Sequence, residues 1–438
     1  MPLLENLLWL VVLIGIMILV HELGHYLAAR YFDVRIEVFS FGFGPRLAGF
    51  RRGETDFRLS LIPLGGYVKM AGEQPSEETL ADPRAFLAKP RWQRLLIALA
   101  GPSMNILLAV VLLTGLFTVH YERPADSFDQ AIIGHVFADS PAARAGLREG
   151  DRIVRIDEVD NPSWEDVVLK EIASANRSLK LTVERGGKRF TLTLTPTLEE
   201  RSGLGYAGWA EQGEIQVANL SPGMPAEKAG LRRGDILLSV NGRPLRSRYR
   251  LQEIVRSSGG KPVVIEYSRQ GRLGTVIVQP VYANLDGNPR WMIGVEPSPR
   301  IVTTRLSLPE AFRESVRQNL KHATLIFRFL EGILARRLSP KSIEGPIGIA
   351  RLSGEAAREG LAAFVVLMAV VSLNLAVFNL LPIPVLDGGL MLVLLIEMAM
   401  RREMSLAVKE AVFKLGLAFL MAVVVFVLYN DLAKILPG

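Results

Sequence analysis

The chain has 438 residues, 49% of them hydrophobic, no cysteine and a formal net charge of +7, with a mean hydropathy of +0.26. Such a length and apolar content exclude one small globular core and point to a protein of several domains, part membrane and part soluble. Without cysteine there is no disulfide, thiolate metal site or thiol nucleophile, and the dispersed Lys and Arg lack the aromatic-interleaved patch of a nucleic-acid binder.

The first predicted element is an apolar helix over about 5–29, long enough to cross a bilayer. It lacks a basic n-region and a small-residue cleavage site, so it reads as a span and not as a signal peptide. Within it lies His21-Glu22-Leu23-Gly24-His25. Positions i and i+4 share a helix face, so both imidazoles can reach one metal ion. Glu22 then lies beside the ion, where it can take a proton from the attacking water and pass it to a leaving amine. A match this short arises by chance in soluble chains. Inside hydrocarbon, ionisable residues are costly and mark function by default.

Residues 35–70 alternate and are rich in aromatic and β-branched types with interspersed glycines, which predicts β-hairpins. The segment can dip into the membrane and offer a strand edge to an extended substrate, or it can be an ordinary cytosolic hairpin. A second span is predicted over about 95–118, with Gly101-Pro102-Ser103-Met104-Asn105 near its start. Gly and Pro permit close helix approach there, and Asn105 needs a buried partner, which places this stretch in packing near the histidines.

The long segment that follows contains a repeat. Ser140-Pro141-Ala142-Ala143-Arg144-Ala145-Gly146-Leu147-Arg148-Glu149-Gly150-Asp151 recurs as Met224-Pro225-Ala226-Glu227-Lys228-Ala229-Gly230-Leu231-Arg232-Arg233-Gly234-Asp235. Each copy runs into an alternating apolar strand and a turn, so two small domains are expected. The "P-A-x-x-A-G-L-x-x-G-D" run resembles bacterial PDZ domains, which places PDZ-like domains at 125–200 and 205–284. Ser307 to Leu338 then reads as an amphipathic helix or helix pair with Arg313, Arg317, Lys321, Arg328, Arg336 and Arg337 among apolar residues. Such a helix lies on a membrane surface or packs on the second domain. Glu344-Gly345-Pro346-Ile347-Gly348 breaks the chain before the third span.

Third and fourth spans are predicted over about 361–383 and 411–433. Basic residues after the first span, before the second and between the last two put those loops in the cytoplasm, and the long segment 119–360 on the opposite side. The short loop around 398–410, with Arg401, Arg402 and Lys409, agrees with the first loop.

Two histidines leave a catalytic zinc short of its usual third protein ligand. No suitable residue follows at metzincin spacing, and Glu37 and Glu54 fall in the hairpin region. In Asn379-Leu380-Leu381-Pro382-Ile383-Pro384-Val385-Leu386-Asp387-Gly388-Gly389, a polar insert and two prolines interrupt an apolar segment. Such a break is tolerated only inside protein or along a wet cavity. Asp387 can supply the carboxylate ligand, and Asn379 can donate to a substrate carbonyl or its developing oxyanion. Asp387 can equally be a helix N-cap after the proline turn, and both roles can hold together.

The H-E-x-x-H span, the Gly101-Pro102 stretch and the "N-x-x-P-x-P-x-L-D-G" pattern together resemble the site-2 protease family of intramembrane zinc metalloproteases, over essentially the whole chain. The resemblance implies that His21, His25 and Asp387 bind Zn2+, that Glu22 activates water and that Asn379 helps hold substrate. It implies a multi-pass protein of the bacterial inner membrane with its PDZ-like domains on the periplasmic side. It further implies cleavage of a single-span anti-sigma factor already truncated by another protease, in an envelope stress response, with remnant signal peptides as a second substrate class. The expected fold is a polytopic α-helical membrane protein of about four transmembrane helices, with a membrane-associated β-hairpin region and two inserted PDZ-like α/β domains. Its parts are 1–118, 125–200, 205–284, amphipathic surface helices over 300–360, and 361–438. Two other classes fit some of the residues: a non-enzymatic PDZ scaffold with a structural metal, and a zinc transporter, since intramembrane His and Asp also mark ion pathways.

Overall fold

The computed structural model describes residues 2–73, 82–124, 130–199, 203–284, 289–335, 338 and 344–435. The chain forms two compact units, one of Met1–His120, Arg305–Phe327 and Ile343–Gly438, the other of Tyr121–Thr304 and Arg328–Ser342.

The first unit is built on helices α1 (Pro2–Tyr31), α2 (Arg91–Val119), α3 (Leu308–Leu334, shared with the second unit), α4 (Pro346–Glu359), α5 (Leu361–Leu380), α6 (Asp387–Met400) and α7 (Leu406–Ile435). Among the described residues α1, α2, α5 and α7 are long and apolar enough to cross a membrane. All four expected spans are present, but α5 stops at Leu380 and not at 383. Leu381 adopts an extended conformation (ψ 144°), as the ring of Pro382 disfavours a helical residue before it. The α1–α5 contact is dry: Leu13 and Met17 pack on Phe364 and Met368, with the Trp9 ring edge-on to Phe364 at 5.0 Å.

Helix α7 is different, with only 6% of its apolar stretch buried. Polar contacts hold both its ends. Near its C-terminus, buried Asp431 accepts the backbone N–H groups of Gly345, Ile347 and Gly348, capping the start of α4 from another helix. Near its N-terminus, Lys409 bonds to Glu397 of α6.

Residues 36–70 form one long irregular hairpin and not several short ones: β1 (Ile36–Arg52) and β2 (Thr55–Met70) pair antiparallel around Gly53 and Glu54. The first half of β1 is flanked on both sides, with Phe39 opposite Phe57 and also opposite Val68. Strand β2 therefore folds back on itself. Gly42, at φ +92°, permits the kink, since a Cβ there would sit 2.7 Å from the Ile62 carbonyl oxygen. The base of the hairpin is cemented to α1 and α2 through Ala29, Ile36, Val68, Phe86 and Ile97, while Phe43, Leu47, Phe50 and Leu61 stay exposed towards its tip.

The second unit contains two lobes of matching topology. The first sheet runs Trp209–Glu211, Ala131–Val136, Arg152–Ile156, Leu179–Arg185, Lys188–Leu194 in spatial order; the second runs Arg272–Val278, Val263–Arg269, Ile236–Val240, Ile215–Leu220, Val295–Pro299. Each sheet has a helix started by a serine cap, Ser163 before Trp164–Ile172 and Ser247 before Arg248–Ser257. The repeat has a physical basis. Buried Asp151 takes a two-pronged bond from Arg185, whose guanidinium also reaches the Gly146 carbonyl. Asp235 does the same with Arg269 and Gly230. Domain limits drawn at 200 and 284 cut a strand from each sheet, because Trp209–Glu211 joins the first and Val295–Pro299 the second. The stretch Tyr121–Thr304 of this unit starts on Tyr121–Pro124 and ends on Ile301–Thr304, which pair antiparallel.

In α3, buried Ser315 donates to the Val110 carbonyl of α2, while Phe312, Leu320 and Phe327 are exposed. Arg336 and Arg337 of the expected amphipathic segment lie outside the described residues.

Candidate metal centre

Helix α1 brings His21 and His25 one turn apart, with their Nε2 atoms 3.2 Å from each other and both rings buried. Two glycines let α2 approach this face. A Cβ on Gly24 would lie 2.4 Å from the Ala100 carbonyl oxygen, and one on Gly101 would lie 2.2 Å from Nε2 of His25. Gly24 thus admits the α2 backbone, and Gly101 leaves its space to the imidazoles.

Asp387 arrives from far along the chain. After α5, the segment around Pro382 and Pro384 runs in turns, and Val385 takes a left-handed conformation at φ +85°, a strain of about 1–3 kcal/mol for a residue of this type. Gly388 and Gly389 then let α6 pack back on this loop, where a Cβ would meet the carbonyl oxygens of Leu381 and Ile383 at 2.2 and 2.3 Å. The N-cap of α6 is Leu386, which makes no side-chain cap bond, so Asp387 is the first helical residue and its carboxylate is not spent on capping. Oδ2 lies 3.1 Å from Nε2 of His21 and Oδ1 3.4 Å from Nε2 of His25.

These three separations suit a zinc ion. Donor atoms held at about 2.0–2.2 Å from one tetrahedral zinc lie about 3.3–3.5 Å from each other; the two Nε2 atoms are 3.2 Å apart, and each faces a different oxygen of Asp387, at 3.1 and 3.4 Å. Nδ1 of His25 donates to the Ile97 carbonyl at 2.8 Å, which fixes its proton away from the Nε2 side. Among the described residues, His21, His25 and Asp387 form the group of side chains able to hold a metal.

A cavity of about 530 Å3 opens on this cluster, and His21, Glu22, His25 and Asp387 all line it. Strand β2 lies against Glu22, since a Cβ on Gly66 would sit 3.2 Å from the Glu22 Cγ, which brings the hairpin up to the residue beside the ligands. Four of the five predicted site residues therefore meet at one place. Asn379, half-buried in the last turn of α5, is not among the residues lining the cavity.

The sequence did not assign Lys409, Tyr67, Val68 or Asn105 their places around this site. Lys409 lines the cavity together with Val412 and Phe413 of α7, although its charge reads only as a topology marker. Tyr67 and Val68 line it from β2. Asn105, marked only as a polar residue in want of a partner, stands with its amide 3.3 Å from Nδ1 of His21. A cavity of about 600 Å3 in the second unit, walled by Trp164, Trp209 and Tyr249, holds no such ligand cluster.

Peptidase family M50 matches the chain over residues 9–423. The chain is 33% identical over 455 residues to a zinc metalloprotease of Xylella fastidiosa, covering 97% of this chain and 98% of that one. It is 31% identical over 448 residues to a zinc metalloprotease of Neisseria meningitidis, with 96% and 97% covered. It is also 30% identical over 455 residues to the regulator of sigma-E protease RseP of Escherichia coli, with 97% and 98% covered. Among solved structures, the PDZ domain of the SdrC-like protein of Listeria monocytogenes aligns with 20% of this chain and 88% of that one at 20% identity, with a TM-score of 0.17.

Proposed function

The chain belongs to peptidase family M50 and is a metalloprotease of the site-2 type, and we propose that it cuts single-span membrane proteins within or near their transmembrane segments. The observation that carries the reading is the convergence of His21, His25 and Asp387, with ligand atoms within 4.8 Å of one another, on a cavity that Glu22 also lines.

His21, His25 and Asp387 would hold zinc. When bound, the ion supplies Lewis acidity towards a carbonyl oxygen and lowers the pKa of a water towards about 7. Glu22 is the general base: it follows His21 directly in α1 and faces the same cavity, beside Gly66 of β2. It takes the proton of the attacking water and returns it to the leaving amine. A transmembrane helix hides its carbonyls in its own hydrogen bonds, so the substrate must unwind before it is cut. Residues 66–70 of β2 pair with β1 on one side and border the cavity through Tyr67 and Val68, which suits them to steady an extended substrate as an added strand. Asn379, which does not line the cavity, is kept as a substrate-holding residue on the family resemblance alone.

The kinship with proteases named for sigma-E regulation supports an anti-sigma factor as the substrate class; that it arrives already shortened by another protease, and that remnant signal peptides form a second class, is our proposal. The kinship also supports a multi-pass protein of the inner membrane. The two lobes of the second unit, read as PDZ-like domains facing the periplasm, would reject substrates that still carry bulky outer domains.

The test is purified Glu22→Gln, assayed for bound zinc and for cleavage of a model transmembrane substrate. Retained zinc with lost cleavage is expected, and retained cleavage would sink the mechanism.

A further inference from the structure

A neutral imidazole has one N–H and one lone pair, so a histidine can bind a metal through Nε2 only if its proton sits on Nδ1. For His25 the matter is settled by its neighbour: the Ile97 carbonyl can only accept, so Nδ1 must donate. His21 has no carbonyl there. Its Nδ1 faces the side-chain amide of Asn105 at 3.3 Å, and an amide offers either a donor or an acceptor according to which way it stands.

With Nδ2 towards His21, the amide donates into the Nδ1 lone pair, and the imidazole proton is driven to Nε2, where it can reach Asp387. That arrangement leaves Oδ1 of a fully buried asparagine without a hydrogen-bond partner. A half-turn of the amide points Oδ1 at Nδ1 and hands the unpartnered position to Nδ2. Either orientation leaves one amide atom alone, so the tautomer of His21 decides between them. The rest of the setting holds Asn105 in place: the Ser372 hydroxyl of α5 donates to its backbone carbonyl at 2.9 Å, and Gly101, one turn earlier in α2, leaves the room that both imidazoles occupy.

We propose that Asn105 is a positioning residue of the metal centre, whose side-chain oxygen accepts the Nδ1 proton of His21 and so keeps Nε2 of His21 bare for the ion. The inference rests on the metal-centre reading above. Asn105 touches neither substrate nor metal and acts through His21, as outer partners of ligating histidines do.

The test uses the full chain purified in detergent, with zinc content and zinc affinity measured by competition with a chelator. Asn105→Ala should weaken zinc binding by about ten- to a hundred-fold. Asn105→Asp, which accepts and cannot donate, should restore binding close to that of the parent chain. Thermal melting in chelator shows whether each variant folds without metal, and the Asp variant keeps the test informative if Ala disturbs packing. Unchanged affinity in Asn105→Ala overturns the inference, and so does equal weakening by Ala and Asp, since that outcome requires a donor. A parent chain that binds no zinc overturns the metal centre itself, and this inference with it.

Discussion

Lys409 Nζ lies 2.7 Å from Oε1 of Glu397, a carboxylate with no exposure to solvent. The same group accepts the Met404 N–H at 3.0 Å, and the Arg91 guanidinium stands 3.7 Å from its other oxygen. Glu397 belongs to α6, whose first residue is Asp387, and Lys409 belongs to α7, so the pair joins the helix that carries a ligand to the least buried of the four long apolar helices. Replacing Lys409 with Met should cost about 3–5 kcal/mol, the usual penalty for orphaning a buried charge. Pairing it with Glu397→Gln should recover much of the loss. Thermal unfolding of the single and double variants in detergent checks this; a Lys409→Met variant as stable as the parent chain would show that Arg91 and the Met404 N–H satisfy Glu397 alone.

Asp387→Asn removes an anionic ligand without removing a helix cap, because Leu386 and not Asp387 occupies the cap position. Zinc content should fall at least ten-fold while helix content by circular dichroism stays unchanged. Loss of helix together with zinc would return Asp387 to a structural role.

Gly101 and Gly115 lie on the same helix and differ in what a methyl group would meet. A Cβ at Gly101 would strike Nε2 of His25 at 2.2 Å, whereas nothing lies within 4 Å at Gly115. Gly101→Ala should abolish zinc binding and cleavage. Gly115→Ala should leave both intact and add about 0.4–1 kcal/mol of stability. Equal behaviour of the two would mean that α1 and α2 are not packed as described.

In the second unit, burial pushes the Glu171 carboxyl above its usual value, against the opposing pull of the Ala207 and Trp209 N–H groups that it accepts. The native lobe then holds this proton more tightly than the unfolded chain does. Its contribution to stability is greatest below the ordinary carboxyl value and declines as pH rises from there through the raised one. Glu171→Gln should flatten that slope and cost about 1–3 kcal/mol near neutrality, because a single amide oxygen cannot serve both donors. Hydrogen exchange of the segment around Ala207 and Trp209 in the full chain, followed across pH, reads both effects. A slope that survives the substitution would assign the pH dependence to another group.

What the sequence revealed was local or periodic. The four spans show as long apolar runs, the first of them interrupted by His21, Glu22 and His25. The ligand pair shows as an i, i+4 spacing, and Asp387 stands out because a carboxylate between prolines and glycines is expensive in an apolar stretch. The repeat was legible because Asp151 and Asp235 each anchor the same turn. Hidden were the contacts that depend on how distant pieces meet. Trp209–Glu211 is too short to declare itself a strand, and it closes a sheet whose other members all precede it. The partner of Asn105 could not be identified before α1 and α2 were laid together, and Lys409 carried a charge already explained by topology. Asn379 shows the converse: a polar residue in an apolar run is a strong signal, yet its position at the end of α5 sets it outside the cavity wall.

The stretch Tyr121–Thr304 of the second unit begins and ends on one ladder, with Tyr121 opposite Thr304 and Pro124 opposite Ile301. Partners across an antiparallel ladder lie only about 4.5–5.5 Å apart at their Cα atoms, so the whole insertion leaves from and returns to almost one point. To the rest of the chain it is topologically equivalent to a tight turn. Lineages could therefore trade, duplicate or lose lobes here without re-threading the membrane helices, and an engineer could swap this cassette for a two-residue hairpin turn.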